Sequence, residues 1–183
     1  MPNLARVATL NWWGGAYGGD PYDFGAPYGI AFDGTHLWVA NQGGWVTEIN
    51  AADGSLVQIL SDPSYGFNSP TAIAFDGTHL WIANNNGNSV TEINASDGSM
   101  VQVLSDASYG FNGPFRIAFD GTHVWVANLG GNSVTQINAA DGSFVRTLSS
   151  ASYGLNGPAY IAFDGTQMWI ANNGGNSITA IPA

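Results

Sequence analysis

The strongest constraint on the fold of this chain is a twelve-residue phrase that returns at a nearly fixed period. The phrase reads IAFDGTHLWVAN at 30–41, IAFDGTHLWIAN at 73–84, IAFDGTHVWVAN at 117–128 and IAFDGTQMWIAN at 161–172. Its copies are therefore spaced by 43, 44 and 44 residues. A repeat of this length, built from short apolar runs separated by turn residues, is typical of one blade of a β-propeller.

Each repeat is predicted to contain four antiparallel strands, which we call a, b, c and d. In the second repeat they span 71–75, 79–84, 90–94 and 100–104. Asp-Gly pairs form the a–b and c–d turns. Strands a and b are apolar on both faces, whereas c and d are mixed, as expected when inner strands lie between neighbouring blades and outer strands approach solvent. The sequence therefore predicts one all-β propeller domain over residues 1–183.

The predicted repeats are offset with respect to the ends of the sequence. The chain stops after a strand c, while LARVATL at 4–10 matches a strand d, so this N-terminal strand is predicted to complete the last blade. An irregular insertion spans 12–19. The predicted blades lie near 28–60, 71–104, 115–148 and 159–183 plus 4–10.

The offset can be satisfied in two ways. The spare strand pairs either within the chain, giving a four-bladed ring, or with a second copy by strand exchange, giving an eight-bladed homodimer. The dimer is favoured because a four-bladed ring requires neighbouring blades to splay near a right angle. An open solenoid of stacked repeats is the less favoured alternative, since it gains nothing from the offset.

The amino-acid composition limits the classes of partner that the chain can bind. The chain has three arginines, no lysine and 13 acidic residues, for a net charge of −10. This charge repels phosphate backbones and anionic lipid surfaces, so neither nucleic acid nor a membrane is expected as a partner. There are no cysteines, which excludes disulfides and thiolate metal sites. A hydrophobic content of 45% predicts a soluble globular domain, and the compartment stays open.

The phrase IAFDGTHLWVAN, followed by segments such as NSVTEINASDGS, resembles the repeats of bacterial NHL- and YVTN-type propellers. It is also similar to repeats of virginiamycin B lyase-like proteins. The resemblance covers nearly the whole chain except 12–19. It implies the fold more than an activity, because propellers of this kind host binding, scaffolding and a few enzymatic roles. Members usually carry more than four blades, so a fragment or an engineered half-propeller is an alternative.

Histidines recur at the start of strand b in three repeats, as His36, His79 and His123, with Gln167 in the fourth. We expect each to bond locally to the Asp-Gly turn, because equivalent positions on different blades lie too far apart to share one metal ion. The lyase-like resemblance implies His and Glu near a metal, but no histidine lies outside the repeat phase. No catalytic residue, metal or cofactor is therefore predicted.

The connections between strands d and a repeat an aromatic residue beside an amide. Such pairs suit saccharides, since the ring face meets C–H groups and the amide bonds hydroxyls. The alternative is that the aromatic side chains fill the gap between blades and the asparagines shape the turn. The candidate ligand-binding residues in these connections are Tyr65, Asn68, Tyr109, Asn112, Tyr153 and Asn156.

The repeats differ most at the two positions after the proline that precedes strand a. These pairs are Tyr28-Gly29, Thr71-Ala72, Phe115-Arg116 and Ala159-Tyr160. They are predicted to open strand a at the mouth of the central channel. Tyr28, Arg116 and Tyr160 are therefore further candidate ligand-binding residues, with Arg116 paired either to an anionic group of a ligand or to an internal aspartate.

Three functions follow from these patterns. The first is a non-enzymatic binding or interaction platform that takes a saccharide or small polar ligand, in a lectin-like manner, on the face that carries the d–a connections. The second is a metal-dependent lyase or hydrolase of the virginiamycin B lyase-like type. The third is a symmetric, self-assembling scaffold without a ligand.

Overall fold

Four antiparallel β-sheets make up the computed structural model, which describes residues 21–149 and 151–183. Each sheet is one propeller blade, and its strands are neighbours in the order in which they occur in the chain. The first blade contains β1 (Pro27–Phe32), β2 (His36–Asn41), β3 (Trp45–Asn50) and β4 (Leu56–Leu60). The second contains β5 (Pro70–Phe75), β6 (His79–Asn84), β7 (Ser89–Asn94) and β8 (Met100–Leu104).

The other two blades follow the same order. The third contains β9 (Pro114–Phe119), β10 (His123–Asn128), β11 (Ser133–Asn138) and β12 (Phe144–Leu148). The fourth contains β13 (Pro158–Phe163), β14 (Gln167–Asn172) and β15 (Ser177–Pro182). The all-β propeller prediction is confirmed. The predicted outer strand at 4–10 and the insertion at 12–19 lie outside the described residues.

Three apolar clusters fill the spaces between consecutive blades, and we call each of these contacts a seam. The seam between the first two blades joins Trp38, Ala40, Val46 and Leu60 to Ile73, Leu80, Ile82 and Ile93. Equivalent residues form the next two seams. We call the side of a blade that bears the tryptophan its trailing face and the side that meets the preceding blade its leading face. Every internal seam thus joins a trailing face to a leading face.

The four loops of each complete repeat lie in two pairs, one pair at each end of the blade. The d–a connection and the b–c link of each blade are joined by backbone hydrogen bonds, such as Asn85 N–H to the Ser69 carbonyl at 3.0 Å. The a–b and c–d turns are joined at the other end, where Ala95 N–H donates to the Thr78 carbonyl at 3.1 Å. Among the described residues, no helix is long and apolar enough to cross a membrane.

Candidate functional site

An arginine surrounded by aromatic rings lies where the inner strands converge. The Arg116 guanidinium carbon is 4.3 Å from the ring centroid of Phe115, 4.8 Å from that of Tyr160 and 4.9 Å from that of Tyr28. The rings of Tyr28 and Phe115 also meet edge to face, with centroids 5.6 Å apart. We call Tyr28, Phe115, Arg116 and Tyr160 the axial cluster. It brings together residues from the first, third and fourth blades.

A break in strand pairing positions two of these side chains. In the first blade Pro27 pairs with Asn41 and Gly29 pairs with Ala40, so Tyr28 is left without a partner across the ladder. The third blade repeats the irregularity at Phe115, between Pro114 and Arg116. Proline cannot donate a ladder hydrogen bond, and a bulge of this kind redirects the side chain of its extra residue. The two positions after each loop proline, where the repeats differ most, therefore lie at this bulge, which directs side chains toward the axis.

From the described residues, hydrogen bonds hold only one edge of the Arg116 guanidinium. Its Nη1 donates to the carbonyl of Phe115 at 2.8 Å and, more weakly, to that of Thr71 at 3.4 Å. Within the described residues no carboxylate forms an ion pair with Arg116, so the expected alternative of an internal aspartate partner is not found there. A guanidinium has five N–H donors. Arg116 therefore keeps donors for a ligand.

A cleft of about 790 Å³ opens beside the axial cluster. Tyr28, Phe115 and Tyr160 line its inner end. The b–c link of the fourth blade contributes Asn173 and Asn176, which supply amide groups. Phe115, Asn173 and Asn176 were not among the sequence-predicted site residues. The sequence could have indicated the two asparagines, because they lie in a b–c link, and b–c links share one end of a propeller with the d–a connections.

The tyrosines of the d–a connections lie elsewhere. The Tyr65 hydroxyl donates to the Gly98 carbonyl at 2.9 Å, and the Tyr109 hydroxyl donates to the Gly142 carbonyl at 2.7 Å. Tyr65 also stacks on Phe67 with ring centroids 5.1 Å apart, as part of the packing between the first two blades. Burial raises the pKa of both hydroxyls. Tyr153, by contrast, is 37% exposed.

The asparagines of these connections use their backbone to fix the loop end. The carbonyls of Asn68, Asn112 and Asn156 each accept a hydrogen bond from a glycine N–H of the b–c link in the same blade, at 3.0 to 3.3 Å. All three residues are exposed. Their side chains and Tyr153 therefore remain candidates for ligand contact, separate from the axial cluster.

His36 and His79 each lie between two carboxylates of their own blade, whereas His123 has one, Asp120, at 3.3 Å. His36 Nδ1 lies 3.4 Å from Asp33 Oδ2 and 3.3 Å from Glu48 Oε1, and His79 has the same surroundings. Burial raises the pKa of Glu48, although a hydrogen bond from Gln58 opposes this. No group of three or more His, Asp or Glu side chains among the described residues is arranged to hold a metal ion. The repeated histidines and their carboxylate neighbours therefore do not fit the metal that the lyase-like resemblance implies.

The aspartate of each a–b turn anchors the blade tryptophan. Asp120 accepts hydrogen bonds from the Trp125 indole at 2.6 Å and from the backbone amides of His123 and Thr122 at 2.6 and 2.7 Å. Burial raises the pKa of Asp120, but these hydrogen bonds together outweigh burial and hold it below its usual value. The carboxylate form is therefore the form that stabilises the fold.

We expect Asp120→Asn to lower the free energy of unfolding by about 1–2 kcal/mol at pH 7, because it removes a charged acceptor from hydrogen bonds that are partly buried and partly screened by solvent. Since the folded pKa is below the unfolded value of about 3.9, this contribution is present above that pH and is lost as the pH falls through the folded pKa. Urea unfolding at pH 7 and at lower pH, followed by tryptophan fluorescence, measures the difference.

The matched control is Asp106→Asn, since Asp106 accepts a hydrogen bond from the Ser108 amide in an exposed connection, which asparagine also satisfies. It should change stability little. A deficit for Asp120→Asn that stayed constant down to strongly acid pH would contradict the role of the charge.

No protein-family profile and no curated protein sequence matches this chain. Solved structures do. Hydrazine synthase of Kuenenia stuttgartiensis superposes with a TM-score of 0.72 at 21% identity, over 87% of this chain and 47% of that one. Virginiamycin B lyase of Staphylococcus aureus gives a TM-score of 0.63 at 23% identity, over 86% and 56%. The computationally designed Ika4 protein gives 0.68 at 12% identity, over 86% and 91%.

At these identities the similarity concerns the fold. The chain spans about half the length of the hydrazine synthase and virginiamycin B lyase chains that it matches. Four consecutive antiparallel sheets, packed face to face through repeated apolar seams, account for the match. The chain is a β-propeller array of four blades, similar in fold to the virginiamycin B lyase and to a designed protein of nearly its own length.

Proposed function

We propose that this chain is a non-enzymatic binding module that takes a carboxylate-bearing saccharide at the axial cluster. The observation that carries the proposal is the state of Arg116. Three aromatic rings surround its guanidinium, and among the described residues only Nη1 donates hydrogen bonds. The rings fix the orientation of the planar group, so a ligand carboxylate meets preorganised donors.

The surroundings favour a sugar acid over a simple anion. Tyr28 and Tyr160 are 47% and 61% exposed, so their rings have free surface for the C–H groups of a pyranose. Asn173 and Asn176 line the same cleft and offer both donors and acceptors to hydroxyls. The cleft volume of about 790 Å³ lies within the range of roughly 300–1,000 Å³ typical of ligand pockets.

The net charge of −10 opposes any anionic ligand at long range. This repulsion is screened beyond about 8 Å at physiological ionic strength, whereas a hydrogen-bonded pair at Arg116 acts at contact distance. Binding is therefore expected to tighten as salt is raised from low concentration, up to the point at which the contact pair is itself screened.

Calorimetric titration with a uronic acid oligosaccharide and with its neutral counterpart, in which the carboxylate is replaced by a hydroxymethyl group, tests the proposal. We expect the acidic sugar to bind and the neutral one to bind at least about tenfold more weakly, since a hydrogen bond to a charged group contributes roughly 1.5–3 kcal/mol. Arg116→Gln should remove this preference.

Arg146→Gln is the matched control because it removes the same charge from the outer strand β12, where the Arg146 Nε donates to Gln136 Oε1 at 2.7 Å. It should leave the affinity unchanged. An equal loss in both variants would assign the effect to net charge. Failure of the wild-type chain to bind any acidic sugar of a uronate panel would overturn the ligand class.

A further inference from the structure

Each end of the blade array exposes apolar side chains whose equivalents in the other blades are buried, although Val39 and Ile49 on the leading face of the first blade are themselves buried. On the trailing face, Trp38, Trp81 and Trp125 are fully buried, but Trp169 of the fourth blade is 43% exposed. On the leading face, Ile73 and Ile117 are 7% and 8% exposed, but Ile30 of the first blade is 63% exposed. The described part of the chain therefore does not close on itself.

Further positions repeat this contrast. Val46, Val90 and Val134 are completely buried, whereas Ile178, which takes the same place in β15, is 71% exposed. Phe32 on the leading face of the first blade is 55% exposed. Contiguous exposed apolar surface of this kind marks an interaction site. The exposed surface of the fourth blade is a trailing face, and that of the first blade is a leading face.

We infer that the leading face of the first blade packs on the trailing face of the fourth blade of a second copy, so that two chains close one ring of eight blades. A second copy of the chain fits these surfaces because three seams within the chain already join a trailing face to a leading face. The new seam would repeat that contact between two chains. A two-fold axis makes two identical new seams from one pair of chains and leaves no face uncovered.

A polar contact at the second and third internal seams has a counterpart at the ends of the array, where both residues are present but do not meet within the chain. The Asn88 side chain accepts a hydrogen bond from Gly113 N–H at 2.8 Å, and Asn132 accepts one from Gly157 N–H at 2.7 Å. Both asparagines have positive φ, of 47° and 49°, and both glycines have φ of 61°.

Asn176 and Ala26 are the equivalent pair at the ends of the array. Asn176 has a φ of 47° and Ala26 has a φ of 54°, so each has a positive φ like its equivalents at the second and third seams. In the ring, the Asn176 side chain accepts a hydrogen bond from Ala26 N–H of the other copy.

The inference does not depend on the proposed ligand, but it changes the site. The Asn176 side-chain oxygen then accepts a hydrogen bond from the second copy, and its amide N–H groups remain for a ligand. Ile178 and Ser177 line the cleft beside the axial cluster, and both belong to the β15 edge that the second copy covers. The second copy therefore walls the cleft on its open side. Each ring carries two axial clusters.

Native mass spectrometry and light scattering of the full chain test the assembly. We expect twice the chain mass of 19.1 kDa. Ile30→Asp and Ile178→Asp should each weaken association by about 100-fold or more, because each places a charge in both seams. Val101→Asp is the matched control, since Val101 is 42% exposed on the outer strand β8, and it should leave the mass doubled. A wild-type mass of one chain would overturn the inference.

Mixing the two charged variants identifies the geometry. In a head-to-tail ring, the mixed dimer has one seam with both substitutions and one seam with neither, so mixing should restore the doubled mass. If like faces paired instead, Ile178→Asp alone would remain dimeric, or Ile30→Asp alone would, and the head-to-tail inference would fail. Restored association also shows that both variants are folded.

A chemical cross-link gives a second, independent measurement. The chain has no cysteine, so Ala26→Cys combined with Asn176→Cys introduces one pair at the proposed seam. Mild oxidation should give a covalent dimer on a non-reducing gel. A product that migrates as a cross-linked single chain would show that the blades close within one chain, and would overturn the second copy as the occupant.

Discussion

Trp81→Ala is expected to lower the free energy of unfolding by about 3–5 kcal/mol, the largest effect of any substitution considered for this chain. Trp81 is completely buried in the seam between the second and third blades. Its indole Nε1 also donates to Asp76 Oδ2 at 2.7 Å. The substitution therefore leaves a cavity and deprives a carboxylate of a partner, and the unfolding midpoint should fall by about 10 °C or more.

Two further variants separate these contributions. Trp81→Phe keeps much of the apolar volume but removes the hydrogen bond, so about 2 kcal/mol of the loss should remain. Met100→Ala, at a 42% exposed site on the same blade, should cost less than about 1 kcal/mol. Thermal and urea unfolding followed by circular dichroism measure all three. Equal losses for Trp81→Ala and Met100→Ala would contradict the assignment of the seam as the main source of stability.

Asn84→Asp is expected to cost about 3 kcal/mol or more at neutral pH, although it changes the side chain by a single group. Asn84 is fully buried, and its Nδ2 donates to Ser89 Oγ at 3.1 Å and to Thr91 Oγ1 at 2.9 Å. The Thr91 hydroxyl itself donates to the Tyr65 carbonyl at 2.8 Å. A carboxylate would face oxygen atoms where the amide now supplies hydrogens.

The expected pH dependence follows from the same geometry. An introduced carboxyl group in this site has a raised pKa in the folded state, so the loss is greatest above that pKa and shrinks as the pH falls through it. Asn86→Asp, in the exposed b–c link of the same blade, makes the same chemical change in water and should have little effect. Urea unfolding from pH 4 to pH 8 tests both, and a pH-independent loss for Asn84→Asp would contradict the desolvation argument.

Periodicity made the blades predictable. Asp-Gly pairs define two turns in each of the first three repeats and one in the fourth. The alternation between them assigns strands such as β6 and β8 at the bounds that the structure has. Both signals are local, since they depend on turn conformation and on which side chains of one strand share a face.

The axial cluster was only partly predictable. The sequence singled out Tyr28, Arg116 and Tyr160 because they break the repeat, but it treated them on equal terms with the tyrosines of the d–a connections. Only the structure separates the two sets. It places Arg116 within 5 Å of rings from three blades, while the Tyr65 hydroxyl bonds to an outer turn. Such distances depend on how far each blade is rotated about the axis, which no local pattern records.

The sequence by itself determined the four repeats, their antiparallel strands and the turns between them, because these depend on interactions among residues close in the chain. The tertiary structure alone decided that three seams close and that Ile30 and Trp169 stay exposed at the two ends of the array, since Trp81 and Trp169 occupy equivalent places in nearly identical phrases. Burial of an apolar side chain depends on which blade stands beside it. That is a property of the tertiary structure, and the repeat cannot encode it.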